Sequence, residues 1–172
     1  MPRNVEIKAR VSDVDGIRRR VETLSDTPVE VLDQRDTFFV VPRGRLKLRV
    51  LDRDLAELIF YQRPDDAGAK LSEYSIVQSS VPEALLGLLS SALNVRGVVA
   101  KRRFLYRIGR TRVHLDDVEG LGTFIELEAV LDDRQSLEEG AAAAERLFGQ
   151  LGIGDADRVH GAYIDLLEAR ER

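Results

Sequence analysis

Polar and apolar residues alternate one for one through Asn4-Val5-Glu6-Ile7-Lys8-Ala9-Arg10. Successive side chains of a strand point to opposite faces, so a period of two specifies a β-strand and sets Val5, Ile7 and Ala9 against Asn4, Glu6, Lys8 and Arg10. The polar face carries full charges of both signs, and the pattern returns. Arg45-Leu46-Lys47-Leu48-Arg49-Val50 places three bases on one face with apolar residues behind them, and Phe124-Ile125-Glu126-Leu127-Glu128-Ala129 does the same with two carboxylates. The fold must let several strands carry charge on one side and still bury the other.

The 172 residues suit one domain, 1–172, and a hydrophobic content of 44% is enough for a proper core. A net charge of -4 lacks the basic excess of a nucleic-acid or membrane-surface binder, so the informative charge is local. Cysteine is absent, which removes disulfides, thiolate metal sites and thiol catalysis together and is compatible with a reducing cytoplasm. No stretch approaches the roughly 18 to 20 apolar residues of a membrane span, and the charged N-terminus lacks the apolar run of a signal peptide. A cytoplasmic protein is the expectation.

Taken in order, Ser12 or Asp13 can cap a helix whose apolar positions Val14, Ile17, Val21 and Leu24 follow the helical period, with Arg18, Arg19 and Arg20 on its wet side. Residues 29–41 read as one long strand or two short ones, and Pro42-Arg43-Gly44 turns it back on Arg45 to Asp52. Leu55 to Arg63 is a further strand with Glu57, Ile59, Tyr61 and Arg63 on one face. Pro64 to Ala69 is a loop, after which Lys70 to Val77 is extended again. Pro82 opens an apolar helix that stops near Asn94. Val98 to Tyr106, Arg112 to Val118 and Thr123 to Leu131 suggest a meander. Ser136 to Glu139 has the form of a capping box, and a last helix runs from about Asp157. The pattern predicts an α+β fold with an antiparallel sheet of about eight strands and four helices.

Those charged faces could simply meet water, as one side of an antiparallel sheet often does. Four helices with apolar stripes, however, need apolar sheet surface to cover. If they pack on the outside of a curved or closed sheet, its interior is wet and lined by Glu6, Lys8, Arg10, Arg45, Lys47, Arg49, Arg63, Lys70, Lys101, Arg103, Asp116, Glu126 and Glu128. Bases outnumber acids there, and facing like charges repel unless an anion occupies the space. Arginine matches phosphate oxygens bidentately and lysine supplies a point charge, so the set suits a phosphate chain. Glu126 and Glu128, with Glu6 from another strand, could hold Mg²⁺ or Mn²⁺, which take oxygen ligands alongside substrate phosphates; alternatively they only pair with neighbouring bases.

At these positions the chain resembles the CYTH superfamily, or triphosphate tunnel metalloenzymes, which includes class IV adenylyl cyclases, thiamine triphosphatases and inorganic triphosphatases. The resemblance rests on Glu6-x-Lys8, Arg45-Leu46-Lys47-Leu48-Arg49, Tyr61-Gln62-Arg63-Pro64 followed by Lys70 and Ser72, and Lys101-x-Arg103. It extends through the run from His114 to Gly122 and through Phe124-Ile125-Glu126-Leu127-Glu128. It implies an eight-stranded antiparallel β-barrel with helices outside and a triphosphate within. It implies Lys8, Lys47, Arg49, Arg63, Lys70, Lys101 and Arg103 as phosphate-binding, Glu6, Glu126 and Glu128 as ligands of Mg²⁺ or Mn²⁺, and these three with Asp116 as catalytic. Asn4 departs from the family pattern, which has an acid there; an amide oxygen can still coordinate, with one negative charge fewer. Whole-chain likeness is nearest to class IV adenylyl cyclases, which convert ATP to cyclic AMP and pyrophosphate. The alternatives are a triphosphatase and a non-catalytic polyphosphate or nucleotide binder. The resemblance also allows a homodimer, and nothing points to nucleic acid or a membrane. Tyr61, Tyr74 and Phe38 are candidate surfaces for an organic ring, while His114 and His160 read as structural.

Overall fold

The computed structural model describes residues 2–62 and 70–172, with Lys70 described in its backbone only. Arg63 and the loop 64–69 lie outside the described residues. Eight strands are present among the described residues: β1 (Arg3–Arg10), β2 (Glu30–Phe39), β3 (Arg45–Asp52), β4 (Leu55–Gln62), β5 (Lys70–Ser79), β6 (Val95–Ile108), β7 (Thr111–Val118) and β8 (Gly122–Leu131). The helices are α1 (Val14–Leu24), α2 (Pro82–Ala92), α3 (Leu137–Gln150) and α4 (Tyr163–Arg170). All strand pairs are antiparallel, in the order β1-β5-β4-β3-β2-β6-β7-β8, and β1 closes the barrel by pairing with both β5 and β8. The α+β barrel that the resemblance implies, with the charged faces turned inward, is therefore the observed fold.

Its apolar faces point outward, beneath the helices. Val5, Ile7 and Ala9 of β1 join Ile125, Leu127 and Ala129 of β8 and Val113 and Leu115 of β7 in one cluster. Ile17 and Val21 of α1 and Ala144, Leu147 and Phe148 of α3 cover it. Asp13 caps α1 by accepting from the Gly16 amide, and Ser136 with Glu139 forms the capping box of α3. On the opposite side Leu85, Leu86 and Leu89 of α2 pack over Phe39, Leu48 and Ala56. No described helix is long and apolar enough to cross a membrane.

α4 is shorter than expected. Asp155–Asp157 forms a 3-10 turn, and the chain then runs extended past Ala9, with which Arg158 makes an isolated bridge, while the Val159 amide donates to the Lys8 carbonyl. Gly161, at φ +88°, turns the chain into α4, so His160 lies before that helix and is exposed. Ala162, Tyr163 and Ile164 then pack against Phe38, Val99, Val118 and Phe124 at one end of the barrel. Gly97 of β6 has no side chain to oppose Ile164, whose Cδ1 lies 2.6 Å from where a Cβ would stand. The run at Arg18–Arg20 is not wholly solvated: Arg18 lies over Phe104 and Arg20 donates to the Leu151 carbonyl.

Candidate active site

The inward faces enclose a cavity of about 280 Å³. Its walls differ by strand. β3 and β6 supply Lys47, Arg49, Lys101 and Arg103; β1 and β8 supply Glu6, Lys8, Glu126 and Glu128. Ala162 and Tyr163 line the end covered by α4.

The basic wall is organised by Asp36, 1% exposed and directly opposite Arg49 in the β2–β3 register. Arg49 donates from Nε and Nη2 to its two oxygens at 2.8 Å each, and the ammonium groups of Lys47 and Lys101 stand 3.0 and 3.2 Å from Oδ2. One carboxylate serves three bases. Burial opposes its ionisation, yet Arg49, Lys101 and Lys47 hold it well below the usual carboxylate range. Burial also lowers the Lys101 ammonium to about 7 and that of Lys47 to about 8, with Arg49 and Arg103 pushing the same way and Asp36 opposing. The wall is short of negative charge, which is the electrostatic condition of an anion site.

Arg103 is held from behind. Its Nε and Nη2 each donate at 2.7 Å to Asp116, which is fully buried and also accepts from the Tyr163 hydroxyl at 2.7 Å. Burial raises the Asp116 carboxyl, but Arg103 outweighs it and keeps it ionised. Lys8 lies 4.1 Å from the centre of the Tyr163 ring and donates to the Gly161 carbonyl at 3.2 Å.

On the acidic wall, the register puts Glu6 directly opposite Glu128, and Lys8 opposite Glu126. Cβ atoms of such pairs lie about 4.5–5.5 Å apart, so two carboxylates facing each other need cations between them. Glu126 is met by His114 Nδ1 at 3.1 Å, Arg103 at 3.3 Å and Lys8 at 3.5 Å. Burial opposes its ionisation, but Lys8, His114 and Arg103 hold it well below the carboxylate range. Glu128 accepts from Arg112 at 2.6 Å and from the Asn4 amide, with His114 Nε2 at 3.7 Å. Burial and Arg103 lower the His114 pKa, which favours the neutral ring between the two glutamates.

As they stand, no three acidic or histidine side chains among the described residues converge as a metal centre. Glu126 and Glu128 are turned toward bases instead. Their chemistry nevertheless fits a hard divalent cation, which takes carboxylate and amide oxygens. Glu6, Glu126 and Glu128 all line the cavity, and beside them the buried Oδ1 of Asn4 has no hydrogen-bond partner.

The structure thus gathers Glu6, Lys8, Lys47, Arg49, Lys101, Arg103, Glu126 and Glu128 around one cavity. Lys70 has its backbone opposite Glu6. Three expectations are revised. Asp116 lies behind Arg103 and outside the cavity lining; Arg45 reaches Asp165 of α4 at 3.0 Å; Arg10 is exposed over the Phe124 ring. α4 draws Arg45 out of the cavity, and Arg10 stands at the exposed end of β1. Asp36, Arg112 and Tyr163 carry no signal in the strand pattern that marks them as part of the site, and His114, structural by its aliphatic neighbours, stands between Glu126 and Glu128. Asp36 is traceable through pairing, since joining the two strands around Pro42-Arg43-Gly44 sets it across from Arg49; Tyr163 needs the docking of α4.

A CYTH domain model matches residues 2–163. The chain is 26% identical to an adenylate cyclase CyaB of Aeromonas hydrophila over 174 residues, covering 95% of this chain and 88% of that protein. Among solved structures, a Pyrococcus horikoshii protein superposes with a TM-score of 0.84 at 25% identity, covering 95% of this chain and 98% of that one. A Hippeastrum protein, described as a putative adenylyl cyclase with a dominant triphosphatase activity, matches in fold at a TM-score of 0.61 and 13% identity, over 89% of each chain. With the barrel, the inward charges and a family match across nearly its whole length, the chain belongs to the CYTH domain family.

Proposed function

We propose that this protein is a divalent-cation-dependent enzyme acting on a triphosphate bound in the barrel, with conversion of ATP to cyclic AMP and pyrophosphate as the leading reaction. The carrying observation is the division of one cavity into a basic wall on β3 and β6 and an acidic wall on β1 and β8. Lys47, Arg49, Lys101 and Arg103 would neutralise the phosphate chain and take charge that develops on the leaving group. Asp36 and Asp116 keep the two arginine forks aimed. Arg63 and Lys70 are assigned to the same phosphate-binding set on the family resemblance.

Glu6, Glu126 and Glu128, with the Asn4 amide oxygen, would hold Mg²⁺ or Mn²⁺, which when bound polarises a phosphoryl group and lowers the pKa of a coordinated hydroxyl. His114, in contact with Glu126 and Glu128, would keep both carboxylates oriented. In the cyclase reaction the ribose 3′ oxygen bonds to the α-phosphorus, the bond to the bridging oxygen breaks, and pyrophosphate and a proton leave. Attack by water on the terminal phosphorus gives orthophosphate and a diphosphate instead. The relative named as an adenylate cyclase favours the first reaction. The triphosphatase activity described for the Hippeastrum protein supports the second reading. Asn4 in place of an acid supports a third, a binder without turnover.

Incubation with ATP and with tripolyphosphate, each with magnesium or manganese, followed by chromatography of the products, tests the proposal. Cyclic AMP and pyrophosphate are the expected products. Orthophosphate without cyclic nucleotide moves the assignment to triphosphatase, and tight metal-dependent binding without turnover moves it to a binder. Tripolyphosphate affinity unchanged in the Arg49→Ala, Arg103→Ala double variant would sink all three readings.

A further inference from the structure

The cavity has a third wall that neither charge pattern explains. On β4 and β5, Ile59 stands directly opposite Ile76 and Tyr61 directly opposite Tyr74, and all four line the cavity. Two successive cross-strand pairs on one face form a continuous strip, since diagonal neighbours lie within reach of long and aromatic side chains. Ile59 is 7% exposed, but Ile76 remains 45% exposed although it faces the interior. The aromatic end of the strip sits beside fixed cations: Arg112, which also lines the cavity, binds Glu128, and the Lys47 ammonium lies 5.5 Å from the Tyr61 ring centre. Phe38, which also lines the cavity, is 4% exposed and packed in the cluster under α4, so it offers little surface to a ligand.

A phosphate chain gains nothing from such a wall, because its binding needs cations and donors. Leaving Ile76 wetted forfeits a burial that an apolar or aromatic group could recover. Resting on the triphosphate reading of the same cavity, we infer that the β4–β5 wall is the subsite for the organic moiety of a nucleoside triphosphate, with the base laid against Ile59 and Ile76 and bordered by Tyr61 and Tyr74. Lys47 sits where this wall meets the basic one, between the Tyr61 ring and Asp36, and so marks the junction of phosphate and organic moiety. The substrate class is organic triphosphates in preference to inorganic tripolyphosphate.

The test compares ATP with tripolyphosphate, each titrated calorimetrically in calcium, in the wild type and in Ile76→Ser. Ile76 is half exposed, so this variant keeps its fold. The substitution is expected to weaken ATP binding about 10-fold, the scale of losing one well-covered aliphatic contact, and to change tripolyphosphate binding less than about 2-fold. In methyl NMR spectra, the δ1 signals of Ile59 and Ile76 are expected to shift with the ring current of ATP and to stay still with tripolyphosphate. Equal effects of the substitution on both ligands, or methyl signals indifferent to ATP, overturn the subsite and leave the triphosphate site standing. Failure of the wild type to bind either ligand overturns the triphosphate site and this inference with it.

Discussion

Asp36 decides the electrostatic state of the basic wall, because three bases lean on one carboxylate. Asp36→Asn leaves those bases around a neutral amide, and removing one partner of a buried ion pair costs about 3–5 kcal/mol. A loss of that order in urea unfolding at pH 7 is expected, shrinking by pH 9.5 once Lys47 and Lys101 have shed their protons. An equal loss at both pH values would mean that the lysines are not the partners that matter. The lysines carry a second prediction. Their folded values of about 8 and about 7 lie below the ordinary 10.5, so the unfolded chain binds more protons between pH 7 and 10.5. Their contribution to stability therefore rises with pH across that window. For Asp36 the sign is the reverse: its stabilisation is present above the ordinary 3.8 and is lost as pH falls through the lower folded value. A bound polyanion restores the lysine protons. Tripolyphosphate binding at pH 8 should take up on the order of one proton, seen by calorimetry in two buffers of different ionisation enthalpy, and should weaken from pH 7 to 9. No uptake would place the phosphate away from Lys101.

Among the elements, α4 has the largest consequence for its length. Tyr163 at its first turn donates to Asp116, the residue that holds Arg103, while Arg96 ties Asp165 and Glu168 to β6. Tyr163→Phe removes a hydrogen bond to a charged group, about 1.5–3 kcal/mol. It should lower the urea midpoint and, by loosening Arg103, weaken tripolyphosphate several-fold; lost stability with unchanged affinity would reduce α4 to a passive cap. This element also marks the limit of reading the sequence. The alternation of β1, β3 and β8 reveals which residues face inward, because a strand's period is local to it. The start of α4 is not local: Arg158 and Val159 are held beside the end of β1, and only Gly161 at positive φ hints at the turn. Likewise Asp116 shares its parity with the inward face, yet the position of Arg103 in front of it depends on the β6–β7 register.

At the scale of the whole molecule, the barrel gathers inside it a cluster of bases that the overall charge of the chain does not suggest. The formal net charge is -4, while the ends of Lys47, Arg49, Lys101 and Arg103 are collected inside a barrel that β1 closes. Exposed charges farther apart than about 8 Å are largely screened at physiological salt, so an outside polyanion feels the acidic surface more than the interior. A ligand must be small enough to enter before the bases act on it. Tripolyphosphate should therefore bind at 150 mM salt, whereas a 20-base-pair DNA duplex of far higher total charge should neither bind in fluorescence anisotropy nor displace it. The distinction is one of access and should persist at 20 mM salt, where long-range attraction is strongest. Duplex binding that competes with tripolyphosphate and is lost in the Arg49→Ala, Arg103→Ala variant would mean that these bases can reach the outside, and the closed barrel would then not be the state that binds phosphate.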